Sequence, residues 1–208
     1  MRIAGELCPA VLLRRLNRFA ALVHMGGRPQ AVHLPNSGRL HELLTPGRPA
    51  LVALPGPQAT GGREAGAPQA AADPARGRGR RTAGDLVFML GPQGWVSVDA
   101  RLPGRLLQEA VAQGRVDGLA GWSVARLEYR PPHAPGSRLD LLLEGPAGPV
   151  AVETKSVTLV VEGAALFPDA PTLRGQRHLR VLAELARQGS GAWVVFVVQR
   201  PDARYFTP

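Results

Sequence analysis

The stretch SRLDLLLEGPAGPVAVETKS, residues 137–156, constrains this chain more than any other. Two apolar runs, 139–143 and 150–152, flank the breaker-rich 144–149, which is the mark of a β-hairpin. Pairing Leu143 with Val150 sets every other partner and places Asp140 opposite Glu153. Directly opposed residues in a sheet have Cβ atoms about 4.5–5.5 Å apart, a distance at which like charges destabilise the pair. A divalent cation would neutralise them. Lys155 lies two residues beyond Glu153, so strand alternation turns it to the same face. Two carboxylates beside an amine can hold Mg²⁺ and direct an activated water at a phosphodiester.

Glu-x-Lys by itself also describes solvated strand edges and ion pairs. Composition separates the two cases. Of 25 basic residues, Lys155 is the one lysine; every other is arginine. A chain that uses arginine everywhere else keeps lysine where a compact charge with a tunable pKa is needed.

The formal charge of +9 and sequence pI near 11.3 point to a polyanionic partner, with nucleic acid ahead of an anionic membrane surface. No apolar run approaches the roughly 20 residues of a membrane-spanning helix, and no export signal is evident at the start. The lone Cys8 forms no internal disulfide and has no ligating neighbour at metal spacing, so the expected setting is the reducing cytoplasm. At 208 residues with 45% hydrophobic content, the chain can build one large domain or two small ones.

Short strands are expected through 11–34 around the Gly26-Gly27 turn, then a turn and short helical turn over 35–47, then a strand at 50–54. Such spacing favours a small barrel, of which the nucleic-acid-binding version is the OB-fold. Arg14, Arg15, Arg18 and Arg39 are candidates for phosphate contacts, and scattered arginine is also the usual solvated face. Asn17 and Asn36, the chain's two asparagines, either reach phosphate or cap turns. Phe19 is expected in the core. Residues 55–79 are Gly-, Pro- and Ala-rich without periodicity and read as a linker or disordered loop, with the basic cluster Arg76, Arg78, Arg80 and Arg81 at its end. From residue 80 the pattern becomes α/β. A strand pair covers 86–98 and a helix 105–113; the anchor hairpin follows. A second helix over 173–188 presents Leu179, Leu182, Ala183, Leu185 and Ala186 inward, and 193–198 reads as a strand buried on both faces.

These residues carry a family resemblance through nine ordered motifs: RLNRF (15–19), VHLPNSGRL (32–40), LLTPG (43–47), RRTAGDL (80–86), VDARLP (98–103), SRLD (137–140), VETKSVTL (152–159), ALFPDA (165–170) and RGQRHL (174–179). The chain resembles the sugar fermentation stimulation protein family across nearly its whole length. The resemblance implies an α/β fold with a small β-barrel: an OB-fold-like N-terminal domain, 1–54, joined through 55–79 to a PD-(D/E)xK nuclease-like α/β domain, 80–208. Gly104 stands where that family is expected to carry Asn. The family is also expected to continue past Pro208 into a segment that packs on the second domain.

Carried over by position, the nuclease motif assigns Asp140 and Glu153 to metal binding, with Glu109 as a weaker further carboxylate, and Lys155 to orienting the attacking water. Mg²⁺ or Mn²⁺ is the implied cofactor. Arg15, Asn17, Arg18, His33, Asn36, Arg39, Arg174 and His178 are the implied nucleic-acid contacts. The expected partner is DNA, with RNA as the alternative, bound without sequence preference. Two functions follow: a metal-dependent phosphodiesterase, or a non-catalytic DNA-binding regulator of maltose and other sugar metabolism.

Overall fold

The computed structural model describes residues 3–55 and 82–208. The linker expected at 55–79, apart from its first residue, and the cluster at 76–81 lie outside the described residues. The first unit is a single six-stranded sheet of β1 (Glu6–Asn17), β2 (Ala20–Met25), β3 (Arg28–His33), β4 (Pro49–Leu54), β5 (Asp85–Gly91) and β6 (Gly94–Ser97), in the order β3-β2-β1-β4-β5-β6. A further pairing of His33 with Asp85 brings β5 to β3, so the strand order returns on itself. The β2–β3 turn needs two consecutive residues with positive φ; Gly26 (58°) and Gly27 (78°) supply them. Alternate residues of these strands, with Leu40 and Leu43 from the 34–47 connection, fill one apolar core that includes Leu12, Val23, Val32, Val52, Leu86 and Met89.

This arrangement corrects the domain division. The breaker-rich segment suggested a boundary at residue 79, but β5 and β6 lie on its far side and pair with β4 in the first sheet. The segment therefore joins two neighbouring strands of one sheet. The change of unit comes after β6.

The second unit comprises α1 (Leu102–Ala112), β7 (Ser123–Tyr129), β8 (Leu139–Gly145), β9 (Gly148–Val157), β10 (Leu159–Val161), β11 (Ala164–Leu166), α2 (Leu173–Arg187), β12 (Gly191–Val198) and β13 (Tyr205–Thr207). Its main sheet has the order β12-β9-β8-β7, and β10-β11-β13 form a second, small sheet. The anchor hairpin has the expected register: Leu143 pairs with Val150, Leu142 with Ala151 and Leu141 with Val152. Pairing continues to Gly145 and Gly148, so the turn is tighter than the six residues the breakers suggest.

Two expectations about this unit change. In α2 the buried residues are His178, Leu182 and Leu185, spaced i, i+4, i+7, whereas Leu179 is 42% exposed and Ala183 and Ala186 face solvent. The inward face is rotated because His178 sits among the buried residues, and a hydrophobicity count leaves histidine out. β12 is not fully buried. Its Ala192 and Val194 pack against α2's cluster while Trp193 and Val195 pack on the opposite side with Trp122, so both faces are covered and the run is apolar throughout. Its position at the end of the strand order nevertheless leaves every residue from Gly191 to Val197 half-buried.

No helix of the described residues is long and apolar enough to cross a membrane.

Two polar clasps hold the units together. Asp169, between β11 and α2, accepts a hydrogen bond from the Leu40 backbone N–H at 2.9 Å. Arg200, buried beyond β12, lies 3.6 Å from Glu42, binds both oxygens of Asp202, and donates to the Thr158 carbonyl at 3.2 Å.

Candidate active site

The hairpin register, extended one pair beyond Leu141 and Val152, sets Asp140 against Glu153 at the base of a cleft of about 590 Å³ between the two units. Asp140 Oδ2 accepts hydrogen bonds from the Thr154 N–H at 2.7 Å and the Thr154 hydroxyl at 2.5 Å. Burial and the facing Glu153 carboxylate push the Asp140 pKa up, against the pull of those two bonds. Glu153 is 5% exposed, and its Oε1 is held twice, by Lys155 Nζ at 2.6 Å and His178 Nδ1 at 2.5 Å. Burial pushes Glu153 up, but the His178 hydrogen bond and the Lys155 charge outweigh it, and its pKa ends below the usual carboxylate range.

The other oxygen, Glu153 Oε2, is buried without a hydrogen-bond partner. A carboxylate with two donors on one oxygen and none on the other is short of a ligand on the second side. A hard divalent cation, which takes oxygen ligands, fits that position beside Asp140. Among the described residues no group of three or more His, Cys, Asp and Glu is gathered to hold a metal. A cation here would rest on two carboxylates and complete its shell with backbone and water oxygens, as Mg²⁺ commonly does.

Glu109 does not join this site. The end of α1 that reaches it is Gly104, where a Cβ would lie 3.6 Å from Asp140 Cβ and from Thr154 Oγ1. Glu109 is five residues further on, about 7.5 Å along the axis and on another face, where its carboxylate accepts from Gln113 Nε2.

The expected nucleic-acid contacts divide. Arg15 is largely committed to the fold: four of its five N–H groups donate to the carbonyls of Asn17, Arg18, Gly38 and Arg39. Asn17 and Asn36 cap turns, accepting from the backbone N–H of Phe19 (2.9 Å) and of Gly38 (2.8 Å). Arg39 is exposed but is not among the cleft-lining residues; Arg18, His33, Asn36, Arg174 and His178 are. His33 is bonded to Asp85, and His178 is buried against Glu153, where it supports a carboxylate instead of facing a phosphate. Phe19, expected in the core, is 50% exposed on the cleft wall. Sequence reasoning also missed Thr154, which fixes Asp140, and Arg101, which lines the cleft while bound to Asp99 and Asp85. Thr154 sits between the two motif residues Glu153 and Lys155, and that position was its available signal.

Fold and site together define a sheet-rich, mixed α/β protein of two units with an acidic, lysine-bearing cleft between them. Residues 13–98 match the family model described as the SfsA N-terminal OB domain, and residues 101–208 match the sugar fermentation stimulation protein RE domain. The chain belongs to the sugar fermentation stimulation protein family. It is 45% identical to a sugar fermentation stimulation protein homolog of Symbiobacterium thermophilum, over 96% of this chain and 76% of that protein. A homolog from Moorella thermoacetica is 39% identical, over 100% of this chain and 81% of that protein. Among solved structures, that of Pyrococcus furiosus SfsA in complex with Ca²⁺ superposes with a TM-score of 0.80 at 30% identity, covering 100% of this chain and 79% of that one.

Proposed function

We propose that the cleft is the phosphodiesterase site of a nucleic-acid-binding protein, dependent on Mg²⁺ or Mn²⁺ held by Asp140 and Glu153. The carrying observation is that Asp140, Glu153 and Lys155 line one cleft, with Lys155 and His178 on Glu153 Oε1 while Glu153 Oε2 is buried without a partner. This reading takes the first unit as a small barrel of the OB type and the second as a PD-(D/E)xK-like domain. The Ca²⁺ of the P. furiosus relative supports a divalent cation in this fold. Bound here, the cation would polarise the phosphoryl group and lower the pKa of an attacking water.

The protein's own groups have separable tasks. Thr154 keeps Asp140 oriented through two hydrogen bonds, and His178 keeps Glu153 oriented through one. Lys155 Nζ, paired with Glu153 Oε1, can turn to a phosphoryl oxygen and stabilise charge developing on it. Exposed Arg18 and Arg174 on the cleft wall supply positive charge to the strand backbone. Incubation with single- and double-stranded DNA and RNA, with Mg²⁺ or Mn²⁺ against EDTA, tests this directly. Cleavage of at least one substrate that EDTA stops is the expected result; four intact substrates would refute the reading.

The regulator reading, DNA binding in sugar metabolism without catalysis, is favoured by one observation: only two carboxylates converge, with no third ligating side chain among the described residues. It predicts strand binding with no metal-dependent cleavage.

A further inference from the structure

Phe19 lies at the turn between β1 and β2, and its position is tightly held. Its N–H donates to Asn17 Oδ1 at 2.9 Å, and its carbonyl accepts from the Leu34 N–H at 2.8 Å. Arg15 clamps the carbonyls of the two preceding residues, Asn17 and Arg18. Single exposed aromatics are ordinary on protein surfaces, so exposure alone carries nothing. Here a half-exposed ring stands on an immobilised backbone, with the Arg18 guanidinium 5.5 Å from its centroid, in the same cleft as Asp140, Glu153 and Lys155. An aromatic ring paired with an arginine is the combination on which unpaired bases stack, the ring taking the base and the cation taking base or backbone.

The size of the cleft points the same way. At about 590 Å³ it falls within the range of small-ligand sites, ~300–1,000 Å³, and a phosphodiester must enter it to reach the buried Glu153. A base inside a duplex has both faces covered by its neighbours and offers none to Phe19. We infer that Phe19, with Arg18 beside it, is a stacking subsite for an unpaired nucleobase, so that the strand presented to the carboxylates is single-stranded. This deepens the phosphodiesterase reading and rests on it for the chemistry, but the subsite itself is a binding property measurable without metal.

The test compares a short fluorescent oligothymidylate with an abasic oligomer of equal length and charge, both in EDTA, on the parent, Phe19→Leu and Phe19→Trp. The parent should bind the base-bearing strand about 10-fold more tightly than the abasic one, within the span of base–aromatic stacking. Phe19→Leu, half-exposed and hence not expected to unfold, should bring the two affinities together at an unchanged Tm, and Phe19→Trp should restore the gap. Equal affinities in the parent, or a gap that survives Phe19→Leu, would overturn the subsite. Cleavage with Mg²⁺ is scored separately. An intact gap without cleavage refutes the phosphodiesterase and leaves the subsite; cleavage with no gap refutes the subsite and leaves the phosphodiesterase. Failure to bind either strand overturns both.

Discussion

Lys155 holds its ammonium group 2.6 Å from Glu153 Oε1. Lys155→Arg keeps the charge but replaces a compact amine by a planar fork too large for the same position. The expected outcome is loss of metal-dependent cleavage by at least about 100-fold with strand affinity unchanged, read by single-turnover kinetics and fluorescence anisotropy. Asp140 gives a prediction of a different kind. Its pKa is raised by burial and by Glu153, so folding disfavours its ionised form relative to the unfolded chain, and ionisation costs stability as pH rises through the raised value. Asp140→Asn retains an acceptor for Thr154 and removes the charge. In EDTA its Tm should exceed the parent's at neutral pH, with the difference vanishing in acid, while Mn²⁺ affinity falls. A parent that melts higher than Asp140→Asn in EDTA at neutral pH would show that the two carboxylates do not repel as described.

Helix α1 meets the site at Gly104, its third residue, where a Cβ would make only ordinary van der Waals contacts at 3.6–3.7 Å with Asp140 and Thr154. Gly104→Ala should therefore stabilise the protein by about 0.5–1 kcal/mol through lower chain entropy in the unfolded state, measured by urea denaturation. The connection after β12 behaves oppositely, because Arg200 is buried and its partners come from three separate segments. Arg200→Met should cost about 2 kcal/mol at neutral pH, the scale of hydrogen bonds to charged groups. Arg200 hydrogen bonds hold the Asp202 pKa below the usual aspartate value, so their contribution is present above that value and is lost as pH falls through the lowered one. The difference in Tm between parent and variant should shrink in two stages as pH falls, first as Glu42, whose pKa burial raises, is protonated, and then as Asp202 is.

Across the whole molecule, Asp169 and Arg200 link the second unit to Leu40 and Glu42 of the first, and residues of both units line the cleft. The charge of +9 is spread over arginines, so strand binding should be governed by counterion release, with log affinity falling linearly against log salt. Titrating anisotropy from low to moderate salt checks this; a flat response would mean that the arginines do not meet phosphate.

Local pattern determined much by itself. The apolar runs and the breakers between them set the hairpin register, because a slip of one residue would turn a buried face to water. With the register came the pairing of Asp140 with Glu153 and the facing of Lys155. Composition alone singles out Lys155, the one lysine of the chain. Tertiary structure decided the rest. Whether Arg15 meets a phosphate or four carbonyls depends on where residues 38 and 39 fold back, a contact more than twenty positions away that no periodicity encodes. His178 and Phe19 exchanged expected places for the same reason. A histidine becomes internal when a buried carboxylate faces it, and a phenylalanine becomes external when its turn lines a cleft made by another unit. Which strands share a sheet was also decided at this level. Ladder hydrogen bonds join β4 to β5 across a long segment whose composition reads as a boundary, because pairing depends on proximity in space and not on the length of chain between partners.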